Sequence, residues 1–316
     1  VVTAGPDYNK TLRQKGGEEM MSQADQLLEG AIDLHCHGYP EISPDVKMRV
    51  EDLEAARLAA AARMRGFVLK SHMWPTVGRV YQMKNQISGV EVWPSMAINT
   101  SSGGFSPWIV ESALRQGAKV LWMPTWSARN DIQRGGFSRL MKGWLTTINQ
   151  IGPEDGLTVF DDSGKIDRKV KEIMGLAKDY DVAVFTGHLS PEEGLAIGRE
   201  AQKMGFKKLI FCHPDSKSVG AQMEHIKEMA EMGFFIEFTF LGLLPAFYRI
   251  SIQEVARRIR EVGAERSVLT TDSFFEWASP PPEMMRMFIS SLLTQGITAD
   301  EIGIMARKNP SELLNV

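Results

Sequence analysis

Cysteine is scarce in this chain. Only Cys36 and Cys212 occur among 316 residues, too few for a disulfide framework, and 18 methionines suit a reducing interior, so the expected location is the cytoplasm. Basic tracts are absent as well. The 36 Lys and Arg against 39 Asp and Glu leave a formal charge of -3, which provides no electrostatic footprint for nucleic acid. With 43% hydrophobic residues the chain is not of disordered composition. Over residues 1–30, Lys10, Arg13, Lys15, Glu18 and Glu19 interrupt any apolar core, so neither a secretory leader nor a membrane span is expected there. No low-complexity tract and no repeat beyond a strand–helix period is present.

Short apolar runs alternate with amphipathic stretches from residue 31 onward, the pattern of repeated βα units around a parallel sheet. Eight such runs occur, at 31–37, 66–72, 90–99, 118–125, 182–188, 208–213, 233–240 and 267–274. Helical spacing appears between them, as at 50–64 (Leu53, Ala56, Leu58, Ala59, Ala62) and 169–180 (Val170, Ile173, Met174, Ala177). The expectation is an α/β protein, a (β/α)8 TIM barrel over 31–316, a fold that commonly runs to about 250 residues plus insertions. An open doubly wound sheet is the alternative, weakened because no Gly-rich dinucleotide fingerprint follows any run.

Residues 1–30 read as an N-terminal extension. Leu12, Met20, Met21, Ala24, Leu27 and Leu28 suggest a short helix against the barrel or a neighbouring subunit, and a homo-oligomer is expected on that basis. Residues 127–167 exceed the usual connection length and read as an insertion over the barrel mouth. Within it, 157–166 is expected to form a β-hairpin, and the Arg134-Gly135-Gly136-Phe137 stretch a mobile lid.

Polar residues at the ends of the runs carry the chemistry, because barrel active sites are built at the carboxyl ends of strands. Run one ends in His35-Cys36-His37, run two in Lys70-Ser71-His72, run five in His188, run six in Cys212-His213 and run eight in Thr271-Asp272-Ser273. Side chains alternate along a strand, so His35 and His37 share a face and can grip one cation. A histidine pair making ordinary hydrogen bonds is the plain alternative, but of six histidines only His225 falls outside a strand end. Neutral imidazoles with a carboxylate suit Zn²⁺, and also Mn²⁺, Fe²⁺ or Co²⁺. A water bound to such an ion reaches a pKa near about 7.

In this order of motifs the chain resembles the amidohydrolase superfamily of metal-dependent barrel hydrolases, and within it an uncharacterised branch of unknown function. The likeness rests on His-x-His after strand one, single histidines after strands five and six, and an aspartate after strand eight, over 31–272. The closing Lys308-Asn309-Pro310-Ser311-Glu312-Leu313-Leu314 is similar to a terminal helix common in these enzymes. The resemblance implies that His35, His37 and Asp272 hold one metal ion. His188 and His213 would hold a second or contact substrate, and Asp272 would accept a proton from metal-bound water. Strand four departs from the pattern, since Met123-Pro124-Thr125 offers no bridging ligand. Lys70 is the candidate substitute, as a bridging carbamate, a substrate contact or an ion-pair partner. His72 could ligate, donate to an anionic group or orient Lys70. Glu237 reads as an interior partner for a lysine. Cys36 and Cys212 are expected to point away from the metal by alternation.

Trp74, Trp126, Phe274, Phe275 and Trp277 follow strand ends and suggest an aromatic pocket for a small-molecule substrate, with Arg129 the cation for a carboxylate or phosphate. The expected activity is hydrolysis, with metal-bound hydroxide attacking the carbonyl of a small amide, cyclic amide or lactone, catalysed through Asp272, Lys70 and His72. The alternatives are a decarboxylase or deaminase using the same ligands, and a catalytically silent binding barrel. No membrane or nucleic-acid partner is expected.

Overall fold

Each of the eight apolar runs contains a strand in the computed structural model, which describes residues 21–316. The strands are β1 (Ile32–His37), β2 (Gly66–Lys70), β3 (Glu91–Ala97), β4 (Val120–Trp122), β5 (Ala183–Phe185), β6 (Leu209–Phe211), β7 (Phe235–Thr239) and β8 (Ser267–Thr270). All neighbours pair in parallel, in sequence order from β1 to β8. The ring closes where Asp272 N–H donates to the His35 carbonyl at 2.9 Å and His37 N–H to the Ser273 carbonyl at 3.1 Å. The expected (β/α)8 barrel is therefore the observed fold.

Side-chain alternation sorts the strands into two cores. On β2, Phe67 and Leu69 face the helical layer, whereas Val68 joins Leu34, Trp122, Phe185 and Ile210 inside the barrel. Helix Arg168–Asp179 supplies the outer core with Val170, Ile173, Met174 and Ala177, one apolar stripe at helical spacing. Leu313 and Leu314 of the closing helix plug the amino-terminal end of the barrel interior. Asn309 fixes that helix, its amide donating to the carbonyls of Ala264 and Ser267 at 2.9 and 2.7 Å.

The expected N-terminal helix is present as Gln23–Leu28, with Ala24, Leu27 and Leu28 buried beside helix Pro281–Thr294. Ser22 and Asp25 form its capping box. Leu12 and Met20 lie outside the described residues.

The long interval after β4 contains the expected hairpin in a shorter form. Leu157 pairs in parallel with Ala128, and the hairpin is shorter than expected: Phe160 bridges Ile166, Asp167 N–H donates to the Val159 carbonyl at 2.9 Å and Asp161 N–H to the Lys165 carbonyl at 2.8 Å, around a turn held by Asp161. Helices Arg129–Arg134 and Ser138–Trp144 form the first part of the insertion. Among the described residues, no helix is long and apolar enough to cross a membrane.

Candidate metal centre

Plain alternation would turn His35 away from the interior that Ile32 and Leu34 face. A β-bulge corrects this: Asp33 pairs with Phe67 and Cys36 with Leu69, so Leu34 and His35 together oppose Val68. Asp33 holds the bulge, accepting the N–H of His35 at 3.0 Å, that of Thr271 at 3.2 Å, and the Thr271 hydroxyl. Burial raises its carboxyl to about 6 against the opposing pull of these hydrogen bonds. The bulge thus aims the first histidine and ties β1 to β8.

Asp272 follows β8 with φ 49°, a left-handed turn that swings its carboxylate over the barrel axis. Its Oδ1 lies 2.9 Å from His35 Nε2 and 3.5 Å from His37 Nε2. Lys70 Nζ approaches the same His35 nitrogen at 2.9 Å while resting 4.0 Å from the centroid of Trp122. Trp122 is the interior residue of β4, so an aromatic face stands where a strand-four ligand would have to originate.

Three histidines share one arrangement. The Nδ1 of His35 lies 2.8 Å from Glu237 Oε1, that of His72 2.8 Å from Glu41 Oε1, and that of His188 2.7 Å from Asp131 Oδ2. An ionised carboxylate only accepts, so each of these Nδ1 atoms carries a proton and each Nε2 is turned away from its carboxylate. Metal-ligating histidines are oriented in this way. Burial would raise all three acids, but the hydrogen bonds and charges of their histidines outweigh it: Glu237 falls to about 2, and Glu41 and Asp131 fall below the usual carboxylate range.

The donor set fits a divalent cation. Both ring nitrogens of His37 are buried without a hydrogen-bond partner, a cost that a ligated ion removes. His35 Nε2 meets both an ammonium and a carboxylate oxygen, and one proton cannot serve both. His35, His37 and Asp272 form one group whose ligand atoms lie within 4.8 Å of one another; His37, Glu41 and His72 form a second, and His35, Cys212, His213 and Glu237 a third. Burial, reinforced by the charges of His37 and Lys70, holds His72 well below its ordinary pKa, and burial takes His213 to about 3. Both imidazoles are neutral at pH 7, as ligation requires.

His213 lies one residue beyond Cys212, and the strand turns there at φ 21°. Alternation consequently fails, and Cys212 faces the barrel interior, contrary to expectation. Cys36 packs outward as expected. Glu237 also differs from its sequence reading. Its partners are His35, the His213 N–H at 2.9 Å and the Thr270 hydroxyl at 2.8 Å, and no lysine is among them. His188 stands apart from the three ligand groups, its ring centroid 5.1 Å from that of His213.

Above these residues lies a cavity of ≈ 240 Å³ that reaches Lys70, His72, His188, His213 and Asp272. Phe137, Phe247, Phe274 and Phe275 form its aromatic wall. Phe137 stacks on His72 at 4.5 Å between centroids. The other expected substrate contacts lie elsewhere. Trp74 is 66% exposed and off the cavity. Trp126 is buried, its indole N–H donating to the His72 carbonyl at 3.3 Å. Arg129 turns to Glu154, donating to its carbonyl at 3.2 Å. These positions follow strand ends in sequence, but the loops direct their side chains into packing or solvent.

Residues 30–237 match a family of unknown function, DUF6282, over more than half of the chain. The chain belongs to this family. The DUF6282 match spans the metal-centre residues from His35 to Glu237, and Asp272 lies beyond it. No curated protein sequence matches significantly. Among solved structures, the barrel is similar to an amidohydrolase from Pseudomonas aeruginosa (12% identity, TM-score 0.57, covering 93% of this chain and 98% of that one). It is also similar to an organophosphorus hydrolase from Deinococcus radiodurans (16%, 0.59, 92% and 93%). A third similar structure is the probable dipeptidase PvdM from Pseudomonas aeruginosa (10%, 0.61, 92% and 97%). The shared property is the (β/α)8 fold.

Glu41 and Asp131 were not singled out in the sequence. Glu41 leaves a faint trace, an acid four residues after His37. Asp131 leaves none, because it meets His188 across 57 residues of sequence. Asp131 also accepts the N–H groups of Phe137 and Ser138 at 3.0 and 2.6 Å, pinning the expected lid turn to a histidine. Asp131→Asn is expected to weaken metal retention by roughly 10–100-fold, since it removes the acceptor that fixes the His188 tautomer. Chelator competition checks this; unchanged affinity would leave Asp131 only its backbone contacts.

Proposed function

We propose that this DUF6282 chain is a metal-dependent hydrolase of a small amide, cyclic amide or lactone, with His35, His37 and Asp272 as the core ligands. The observation that carries this reading is the set of three histidines, His35, His72 and His188, whose Nδ1 atoms each meet a buried carboxylate, the arrangement that orients a metal-ligating imidazole. His188 and His213 line the same cavity and are assigned to a second ion or to substrate. The resemblance to structures described as an amidohydrolase, an organophosphorus hydrolase and a probable dipeptidase supports the same class.

A bound divalent cation, zinc foremost, would supply Lewis acidity and an acidified water. The chain's own groups supply the rest. Burial pushes the Asp272 carboxyl up, but the neighbouring His35 outweighs it and holds the carboxyl well below the usual range. It is ionised at neutral pH and can accept a proton at Oδ1, then pass it to a leaving group. Lys70 places a buried ammonium beside this acceptor, where it can stabilise charge developing on a carbonyl oxygen. The aromatic wall excludes water from the reacting group.

Lys70 as an ammonium adds a positive charge to a site rich in carboxylates, whereas a carbamate would add a further anion and call for a second dication. Elemental analysis of gently purified protein separates these states. One ion per chain is the expected result for the ammonium form, and two for the carbamate. Turnover of a lactone and dipeptide panel is expected to vanish on chelation and return with metal. Turnover that survives complete chelation, or a metal-loaded protein that turns over nothing in the panel, would overturn the reading.

A further inference from the structure

The protein is acidic overall, yet the rim of its cavity is basic. Arg139, Lys217 and Arg249 line the mouth above the metal centre. A second cleft of ≈ 470 Å³ opens beside it, and Asp215, Ser216, Lys217 and Arg249 form the wall common to both. Arg134 and Arg258 complete the second cleft. Five cations thus line the two clefts, with Asp215 in the shared wall and Glu254 paired to Arg258 at 3.0 Å. Among the described residues, Arg139, Lys217 and Arg249 make no ion pair.

Arg134 shows how the rim is organised. Its Nε donates to the Lys217 carbonyl at 2.8 Å, and its guanidinium lies so close over Gly220 that a Cβ there would overlap it. Gly220 also has φ 74°, a second reason for glycine. The arginine is therefore seated by backbone and not by a carboxylate, and its outer nitrogens stay available. Arg258 lines the same cleft, its Nε donating to Glu254 at 3.0 Å while Nη1 is buried and unpartnered. Planar guanidinium forks of this kind match the oxygens of a carboxylate or phosphate.

We infer that the substrate carries a terminal oxyanion that docks on Lys217, Arg249 and Arg134 while its reacting group reaches the metal centre. The second half of that statement rests on the hydrolase reading; the anion site itself does not. Arg129, the cation favoured by sequence, is displaced from this role by its contact with Glu154.

Titration calorimetry at low ionic strength, with glutarate and inorganic phosphate as separate probes on the metal-loaded protein, tests the site. Lys217, Arg249 and Arg134 are exposed, so their replacement leaves the core intact. At least one probe is expected to bind, about tenfold more weakly in the double variant K217Q/R249Q and in R134Q, and more weakly in added salt. Asp272→Asn, which alters the metal centre alone, is expected to leave binding within about threefold. Binding of glutarate only would identify a carboxylate substrate, and of phosphate only a phosphorylated one. Failure of both probes to bind, or binding lost in Asp272→Asn but kept in K217Q/R249Q, would overturn the inference. Because no turnover is measured, absence of hydrolysis would count against the hydrolase reading and not against this site.

Discussion

Asp272→Asn is expected to lower kcat/KM by about 10³-fold or more while the barrel stays folded. Asparagine is the informative replacement because it tolerates the left-handed conformation observed at this position, where alanine would add backbone strain. The backbone N–H that donates to the His35 carbonyl is retained. What is lost is the carboxylate oxygen 2.9 Å from His35 Nε2, and with it both a ligand charge and the proton acceptor. The amide nitrogen that replaces one oxygen can only donate, and it cannot ligate a cation. Kinetics, metal content and thermal midpoint should be measured on one preparation. Full metal content with turnover within about tenfold of the parent would remove Asp272 from the mechanism.

Such a prediction was open to sequence reasoning because the barrel places strand ends together whatever the loops do. Each histidine that ends an apolar run stands at the mouth for that reason, and the eight runs were recognisable from apolar clustering alone. Rules that depend on one strand's pleat were less dependable. Alternation paired His35 with His37 correctly, but it did not reveal the bulge at Asp33 that brings His35 round to the side of Leu34. The turn at His213 broke the same rule and put Cys212 inside. The orienting acids were harder still to find. Glu237 was visible as an interior charge, yet its partner was read as a lysine because nothing in a sequence tells which buried base lies across a barrel. Asp131 belongs to an insertion whose position over the mouth is a tertiary property. The same limit accounts for the cations: Arg129, Arg134 and Arg139 lie within eleven residues, and only the helical turns between them decide which reach the cavity.

Glu237→Gln is expected to destabilise the metal-free protein by ~3–5 kcal/mol, the cost of breaking a buried ionic network. The wild-type carboxylate accepts three hydrogen bonds, from His35 Nδ1, the His213 N–H and the Thr270 hydroxyl, with no exposure to solvent. A glutamine amide offers a donor on one side, so either His213 N–H or His35 Nδ1–H faces another donor. If His35 yields, its proton moves to Nε2, the atom the metal needs, and metal affinity falls together with stability. That link separates an orienting role from simple packing, since E237L would lose stability without imposing a new tautomer. The pH dependence has a definite sign. Burial raises the Glu237 carboxyl, but the charge and hydrogen bond of His35 bring it down to about 2 in the folded state. Its contribution is therefore complete above the unfolded value near about 4.5 and is lost as pH falls toward 2. The gap between wild type and E237Q in chemical denaturation should hold from pH 7 to pH 5 and close below that. A gap that failed to close as pH falls toward 2 would mean that the ionised Glu237 carboxylate is not what the substitution removes, and the histidine would then need another source for its orientation.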